Sequence, residues 1–254
     1  MTPDPKATYV SGMFGRIAPR YDLMNWLMTL GMDRGWRRAA VAELGCRSGD
    51  RVLDAGSGTL DFLPLLLRAG CAPVGADFAL PMMVAGRHKI ERLQGEWVPP
   101  AVPRPEEGPD QACVRSPGAM PELAAADAQR LPFADGSFDG VVTGFMLRNV
   151  ADLAAALREM TRVLRPGGRF VCLELTWPRS PVFRRLFALY FGGIVPMVGW
   201  LVSGQRDAYR YLPRSVTAFA PPPALASLMT AVGLREVRYR LLGFGAVALH
   251  VGRK

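Results

Sequence analysis

The chain has 254 residues, half of them hydrophobic. That suits one domain with a large core and argues against disorder. Its formal net charge of +9 is carried mainly by arginine, since only Lys6, Lys89 and Lys254 are lysines. Such a charge fits an anionic partner, nucleic acid or an acidic membrane surface, without choosing between them.

Residues 1–12 read as a loose tail with no apolar run, and no secretory signal is expected there. Residues 21–44 space Leu, Met, Trp and Val as a helix does, with a break at Gly31. "RVLDAG" (51–56) is a buried strand, and "LDFLPLLLRAG" is a helix that stops at Gly70. "CAPVGADF" is a second strand and "LPMMVAGRHKIERL" a second helix. This alternation predicts an α/β fold with a parallel sheet. Residues 95–120 hold six prolines without periodicity and read as a long surface loop. The rhythm resumes with a strand at "SFDGVVTGF", a helix at "ADLAAALREMTRVLRPGG" and a strand at "RFVCLEL". A helix at "PPALASLMTAVGL" and two strands, "REVRYRLLG" and "AVALHVGR", close the chain.

One stretch breaks the rhythm. Residues 186–203 carry no charge. A membrane-spanning helix needs about 20 apolar residues. Gly192, Gly193 and Pro196 interrupt the run and favour two shorter helices that form an apolar lid. Packing on the sheet is a third reading. Around it, Arg179, Arg184, Arg185, Arg206, Arg210 and Arg214 face a single acid, Asp207. This predicts a salt-sensitive, peripheral contact with anionic lipid.

The turn after the first strand reads Gly56-Ser57-Gly58-Thr59-Leu60-Asp61. Its glycines let backbone N–H groups approach a ligand. A dinucleotide fingerprint needs glycine at 61, where Asp61 would face a pyrophosphate, and no G-K-[ST] follows. Asp77 ends the second strand, 23 residues after Asp54, where a carboxylate accepts hydrogen bonds from ribose hydroxyls. A nucleoside without pyrophosphate over an acidic turn points to S-adenosylmethionine, whose cationic groups Asp54 or Asp61 would attract. Asp61 also reads as the cap of the following helix. The four cysteines form no C-x-x-C pair, and the two histidines, His88 and His250, lie outside every motif. No metal site is expected.

Four further stretches are more specific: "MFGRIAPRYDLMNWLMTLGMDRGWRR" (13–38), "DAQRLPFADGSFDGVVTGFMLRNV" (127–150), "ALREMTRVLRPGGRFVCLEL" (156–175) and "AYRYLPRSV" (208–216). With them the chain resembles the ubiquinone/menaquinone biosynthesis C-methyltransferase family, within the class I S-adenosylmethionine-dependent methyltransferases. The likeness runs from about residue 9 to the C-terminus, interrupted by the proline-rich loop. It implies a Rossmann-like sheet of seven strands, the last antiparallel. It implies one methyltransferase domain over 1–254: a helical segment at 1–45, a cofactor core at 46–178 with an insertion at 95–120, an apolar lid at 179–220, and a closing helix and strands at 221–254. S-adenosylmethionine is the implied methyl donor and a prenylated quinol precursor the implied acceptor.

The implied cofactor contacts fall on Thr59, Asp77, Asp127 and Ala128, beside Asp54, Gly56, Gly58 and Phe78 of the strand ends. The chain departs from the family at four positions, besides the insertion, and one of them is Asp127, where the family often has asparagine. Leu60 stands where the turn closes with glycine, Gly144 where a serine touches the cofactor, and Met146 where a glycine precedes "LRN". Candidate catalytic residues are Tyr21, Asp22, Arg148, Asn149 and Tyr209. Arg148 would stabilise developing phenolate and Asn149 would orient water or a ring hydroxyl. The bland alternatives are a surface ion pair for Arg148, a helix cap for Asn149, core packing for Tyr21 and Tyr209, and a solvated face for Arg37 and Arg38. Methylation of a phospholipid amine or sterol, and a non-catalytic lipid-binding member, stay open. Nucleic acid is not an expected partner, because no N-P-P-[YF]-type motif or RNA-binding module is present. The expected setting is the cytoplasm at the inner face of the membrane, as a homodimer or a single chain.

Overall fold

A computed structural model describes residues 5–92 and 121–254. The proline-rich stretch at 95–120 lies outside the described residues. Short apolar runs buried on both faces form the middle of a sheet: β1 (Arg51–Ala55), β2 (Ala72–Asp77) and β4 (Phe138–Gly144). With β3 (Glu122–Ala125), β5 (Leu164–Leu175), β6 (Arg235–Leu242) and β7 (Val247–Arg253) they make seven strands ordered β3-β2-β1-β4-β5-β7-β6. Strand β7 runs against both of its neighbours, so the expected sheet is the observed one. Successive residues alternate between faces: Leu53, Val74, Val141 and Phe170 meet Leu157, Met160 and Leu225, whereas Val52, Val142 and Val171 meet Ala40, Leu44, Phe62 and Leu66.

The helices are α1 (Pro5–Thr29), α2 (Asp33–Leu44), α3 (Leu63–Arg68), α4 (Leu80–Gly86), α5 (His88–Glu91), α6 (Leu153–Val163), α7 (Pro181–Leu189), α8 (Val195–Ser203), α9 (Arg206–Ala218) and α10 (Pro222–Ala231). Four sequence expectations change. The tail is helical from Pro5, held where Lys6 Nζ donates to the Val150 carbonyl at 2.5 Å and Tyr9 meets Tyr211. The second helix breaks at Arg87 into α4 and α5. Strand β3 was unexpected, because "ELAA" carries no β-branched or aromatic residue. Strand β5 starts at Leu164, ahead of Gly167, because Leu164 pairs with Phe138 across the sheet.

The uncharged run is apolar helix, as expected, but it is not broken into two separate helices. Residues 181–203 form one continuous helical stretch with a π turn at Tyr190–Ile194 joining α7 to α8. It packs through Phe187, Phe191 and Val195 on Met13, Ile17 and Met24 of α1 and on Tyr209 of α9, and meets the sheet through Leu175 at the end of β5. Its other side is open: Leu186, Leu189, Met197 and Leu201 are each more than half exposed.

Leu60 shows how the glycine turn manages without its final glycine. Its φ is +62°, left-handed, yet it is fully buried against Leu63, Met83 and Ile90. That backbone costs about 1–2 kcal/mol for an L-residue. Burying the side chain is worth more, since large-to-small core changes cost about 2–5 kcal/mol. Leu60→Gly is therefore expected to lower stability by a net of about 1–3 kcal/mol in thermal or denaturant unfolding. A more stable variant would show that strain, not packing, dominates at this position.

Candidate active site

The order of the strands reverses between β1 and β4, and a crevice opens at their C-terminal ends, as α/β sheets favour. A cavity there is lined by Gly56 and Gly58 after β1, Asp77 and Phe78 after β2, Asp127 and Ala128 after β3, and Gly144 after β4. Seven of the nine expected cofactor residues thus share one wall system. Thr59 and Asp54 do not line it.

Each polar group in the cavity is held by the chain around it. The Asp77 carboxylate accepts from the N–H of Gly58 at 2.8 Å and of Ala79 at 2.7 Å, which ties the second strand end to the glycine turn. Burial pushes its pKa up, against the pull of those N–H groups. Asp127 accepts from the backbone N–H and the side-chain amide of Gln129, a positioning residue that sequence reasoning missed. Gly56 and Gly58 have φ of +76° and +51°. The Met146 side chain lies directly over Gly56, so a Cβ there would collide with it. A serine cannot simply replace Gly144, because its Cβ would come within 2.6 Å of the Phe62 ring. Phe62 in turn lies under the Arg37 guanidinium.

Asp54 is the unpaired group. It is fully buried, and neither carboxylate oxygen has a hydrogen-bond partner among the described residues. Burial raises its pKa to about 8, with Arg37 opposing and Asp77 adding to the rise. The acceptors Asp77 and Asp127 and the exposed ring of Phe78 in the cavity wall, with the orphaned Asp54 carboxylate buried outside it, fit a cationic adenosyl cofactor.

Asp61 neither caps the following helix nor lines the cofactor cavity. It pairs with Arg37 at 3.0 Å and with Lys89, and those cations lower its pKa against the effect of burial. The helix that follows begins at Leu63 without a side-chain cap. Thr59 and Asp22 belong to the same network: Thr59 Oγ1 donates to Asp22 at 2.6 Å, and Lys89 lies 2.8 Å from Asp22. Asp22 therefore faces a different recess, and Thr59 is buried in this network. Arg37 is buried, not solvated, between the Phe62 and Phe145 rings.

A second, apolar pocket of about 340 Å³ lies between α1, α7, the π turn and α9. Tyr21, Arg148 and Tyr209 line it. Phe14, Tyr21 and Phe145 line both cavities and form the partition between them. Phe145 holds that place with a φ of +58°, a strained backbone of the kind found at functional sites. Burial pushes the Tyr21 pKa up to about 12, so its hydroxyl keeps its proton at neutral pH.

Arg148 pairs with a buried acid, not a surface one. Its Nη1 lies 2.7 Å from Glu174, which is fully buried, and also donates to the Phe145 carbonyl. The Glu174 carboxylate accepts from the N–H of Arg148 and Leu175 as well. Arg148 Nε has no partner among the described residues. Asn149 is not the cap of α6, which is Asp152. It donates to Phe145 O and accepts from the Tyr211 hydroxyl, each at 3.3 Å. Glu174 and Tyr211 were both missed in the sequence.

The comparisons with known proteins decide the class of chemistry. The model of the ubiE/COQ5 methyltransferase family matches residues 2–98 and 111–254. The chain belongs to this family. It is a methyltransferase, and the gap in the match falls inside the proline-rich stretch. It is 46% identical over 255 residues to the demethylmenaquinone methyltransferase of Roseiflexus castenholzii, covering 99% of this chain and 96% of that one. Against the protein of the same name from Deinococcus radiodurans it is 45% identical, covering 98% and 94%. A solved S-adenosylmethionine-dependent methyltransferase from Thermotoga maritima superimposes with a TM-score of 0.58 at 18% identity, over 96% of this chain and 99% of that one, and shares the fold.

Proposed function

We propose that the protein transfers a methyl group from S-adenosylmethionine to a ring carbon of a prenylated quinol precursor of menaquinone. One observation carries this reading: a cavity that presents the Asp77 and Asp127 carboxylates and an apolar pocket share a wall of three aromatic residues. The names of the family's relatives, demethylmenaquinone methyltransferases, support the naphthoquinol acceptor.

The cofactor supplies an electrophilic methyl on a sulfonium. Asp77 and Asp127 would accept hydrogen bonds from its ribose and adenine, and Asp54 would balance its positive charge. The chain's own task is alignment and ring activation. The ring carbon would take the methyl as its bond to sulfur breaks and leaves a neutral thioether, and the displaced ring proton would pass to solvent. Phe14, Tyr21 and Phe145 would hold the ring at the partition. Arg148, locked by Glu174, would offer its unpartnered Nε–H to a ring oxygen as negative charge builds there. Tyr209 and the apolar walls would take the first prenyl units.

A polyprenyl tail stays in the bilayer, so the enzyme would meet its substrate there. The helix Pro181–Leu201 is long and apolar enough to cross a membrane by length and composition, and only 17% of its most apolar window is buried. Its packed side of Phe187, Phe191 and Val195 makes it a two-faced helix that would lie in the interface plane.

The test is transfer of a labelled methyl group to a demethylated prenyl naphthoquinol in detergent, with the benzoquinol analogue beside it. The expected result is C-methylation of the naphthoquinol. A protein that binds the cofactor and methylates neither quinol would overturn the reading. Asp77→Ala is expected to weaken cofactor binding about ten- to a hundredfold, the loss of hydrogen bonds to a charged acceptor worth about 1.5–3 kcal/mol. Calorimetric titration that gives unchanged affinity in a folded variant would remove Asp77 from the site.

A further inference from the structure

A third recess, of about 630 Å³, lies between α1, α2, α3 and α5. Six cationic side chains and three carboxylates line it. The three acids are already paired: Asp33 and Asp61 with Arg37, and Asp61 and Asp22 with Lys89. Arg34 and Arg38 of α2, Arg68 of α3 and Arg92 beyond α5 are left over. All four are exposed, and none has a carboxylate partner among the described residues. Planar guanidinium groups converging on a concave surface suit a ligand with several anionic oxygens, such as a phosphodiester.

The cleft adjoins the apolar pocket. Asn25 lines both. Around the pocket's mouth stand exposed apolar side chains: Leu30 at 76%, Met32 at 43%, Leu186 at 58% and Phe244 at 75%. Trp26 lies between the two, half exposed, in the wall of the cleft. Its indole sits against Gly31, where a Cβ would lie 3.2 Å from Nε1. Basic groups beside apolar side chains, with a tryptophan at the boundary, match the order of headgroup and acyl regions across a bilayer surface. A nucleic acid would find the basic groups but would leave the adjoining apolar rim in water.

We propose that this cleft binds the phosphodiester headgroup of an anionic phospholipid. The apolar rim enters the acyl region beside it, so that the mouth of the 340 Å³ pocket opens onto the bilayer. The proposal deepens the reading of a membrane-held acceptor and rests on it. It places the decisive charges on α2, on α3 and at Arg92 just after α5, away from the arginines that flank the 181–203 helix.

The experiment measures partition of the full chain onto phosphatidylglycerol-containing and pure phosphatidylcholine vesicles. The variant is Arg34→Glu/Arg68→Glu, and the control of equal charge change is Arg158→Glu/Arg235→Glu on α6 and β6. The cleft variant is expected to lose at least tenfold in affinity for anionic vesicles, because charges at a membrane surface act singly and add. The control should change by less than about threefold, and high salt should erase the difference. Methyl transfer to a short-tailed quinol in detergent should be unchanged in the cleft variant, with an unaltered circular dichroism spectrum. Equal losses in variant and control would overturn the proposal. So would inorganic phosphate or RNA whose binding the cleft variant abolishes while vesicle binding stays intact. If no quinol is methylated at all, the acceptor reading fails, and the vesicle comparison still decides the cleft.

Discussion

Arg148→Ala is expected to destabilise the protein by about 3–5 kcal/mol, because it strands the Glu174 carboxylate in the core. Glu174 is fully buried and, among the described residues, Arg148 is its only cationic partner, at 2.7 Å. Two backbone N–H groups would still reach the carboxylate, which puts the loss at the lower end of that range. A loss of activity in this variant alone is therefore no measure of catalysis. The double variant Arg148→Met/Glu174→Met removes both charges and fills similar volume, and replacements of this kind are often neutral or stabilising. Its melting temperature is expected to return to the wild-type value while turnover stays at least tenfold down. Recovery of turnover with stability would make Arg148 structural only. An unaltered melt for Arg148→Ala would contradict the buried pair itself.

The sheet was legible because its central strands are uninterrupted apolar runs. "RVLDA" and "VVT" leave no face for water, so burial on both sides follows from composition. "ELAA" carries no such mark, and β3 forms only because β2 offers it an edge. Glycine and proline at 192, 193 and 196 read as breaks, yet the helix absorbs them with a π turn, since Pro196 falls in the first turn of α8. The cofactor cavity was legible because a glycine turn and a strand-end acid are bound by backbone geometry close in sequence. The network around Thr59 was not. Lys89 lies 30 residues away, and nothing in the turn announces that Thr59 and Asp61 will satisfy it and Asp22 instead of a ligand. Glu174 escaped for a similar reason: in "CLEL" it reads as the polar residue of an alternating strand. Only the position of Arg148 above it turns it into a buried counter-ion.

The ligand-free protein is expected to lose stability as pH rises from about 4 to about 8, because of Asp54. Its folded pKa is about 8, against a usual carboxylate value of 3.8. Below the lower value both states hold the proton, and Asp54 costs nothing. Between the two, the unfolded chain releases a proton that the folded chain keeps, so unfolding gains with each step of pH. Above about 8 the penalty is complete and the slope ends. At about 1.4 kcal/mol per pKa unit the total is on the order of 5 kcal/mol. Asp54→Asn should abolish the slope and melt higher than wild type at pH 8. A cationic cofactor reverses the logic, since a positive charge favours the ionised carboxylate. Binding should then tighten between about pH 6 and 8 and release a proton, which calorimetry in buffers of different ionisation enthalpy reads directly. A flat wild-type profile, or an equal slope in Asp54→Asn, would show that the buried carboxylate is neutralised by a partner the geometry does not reveal.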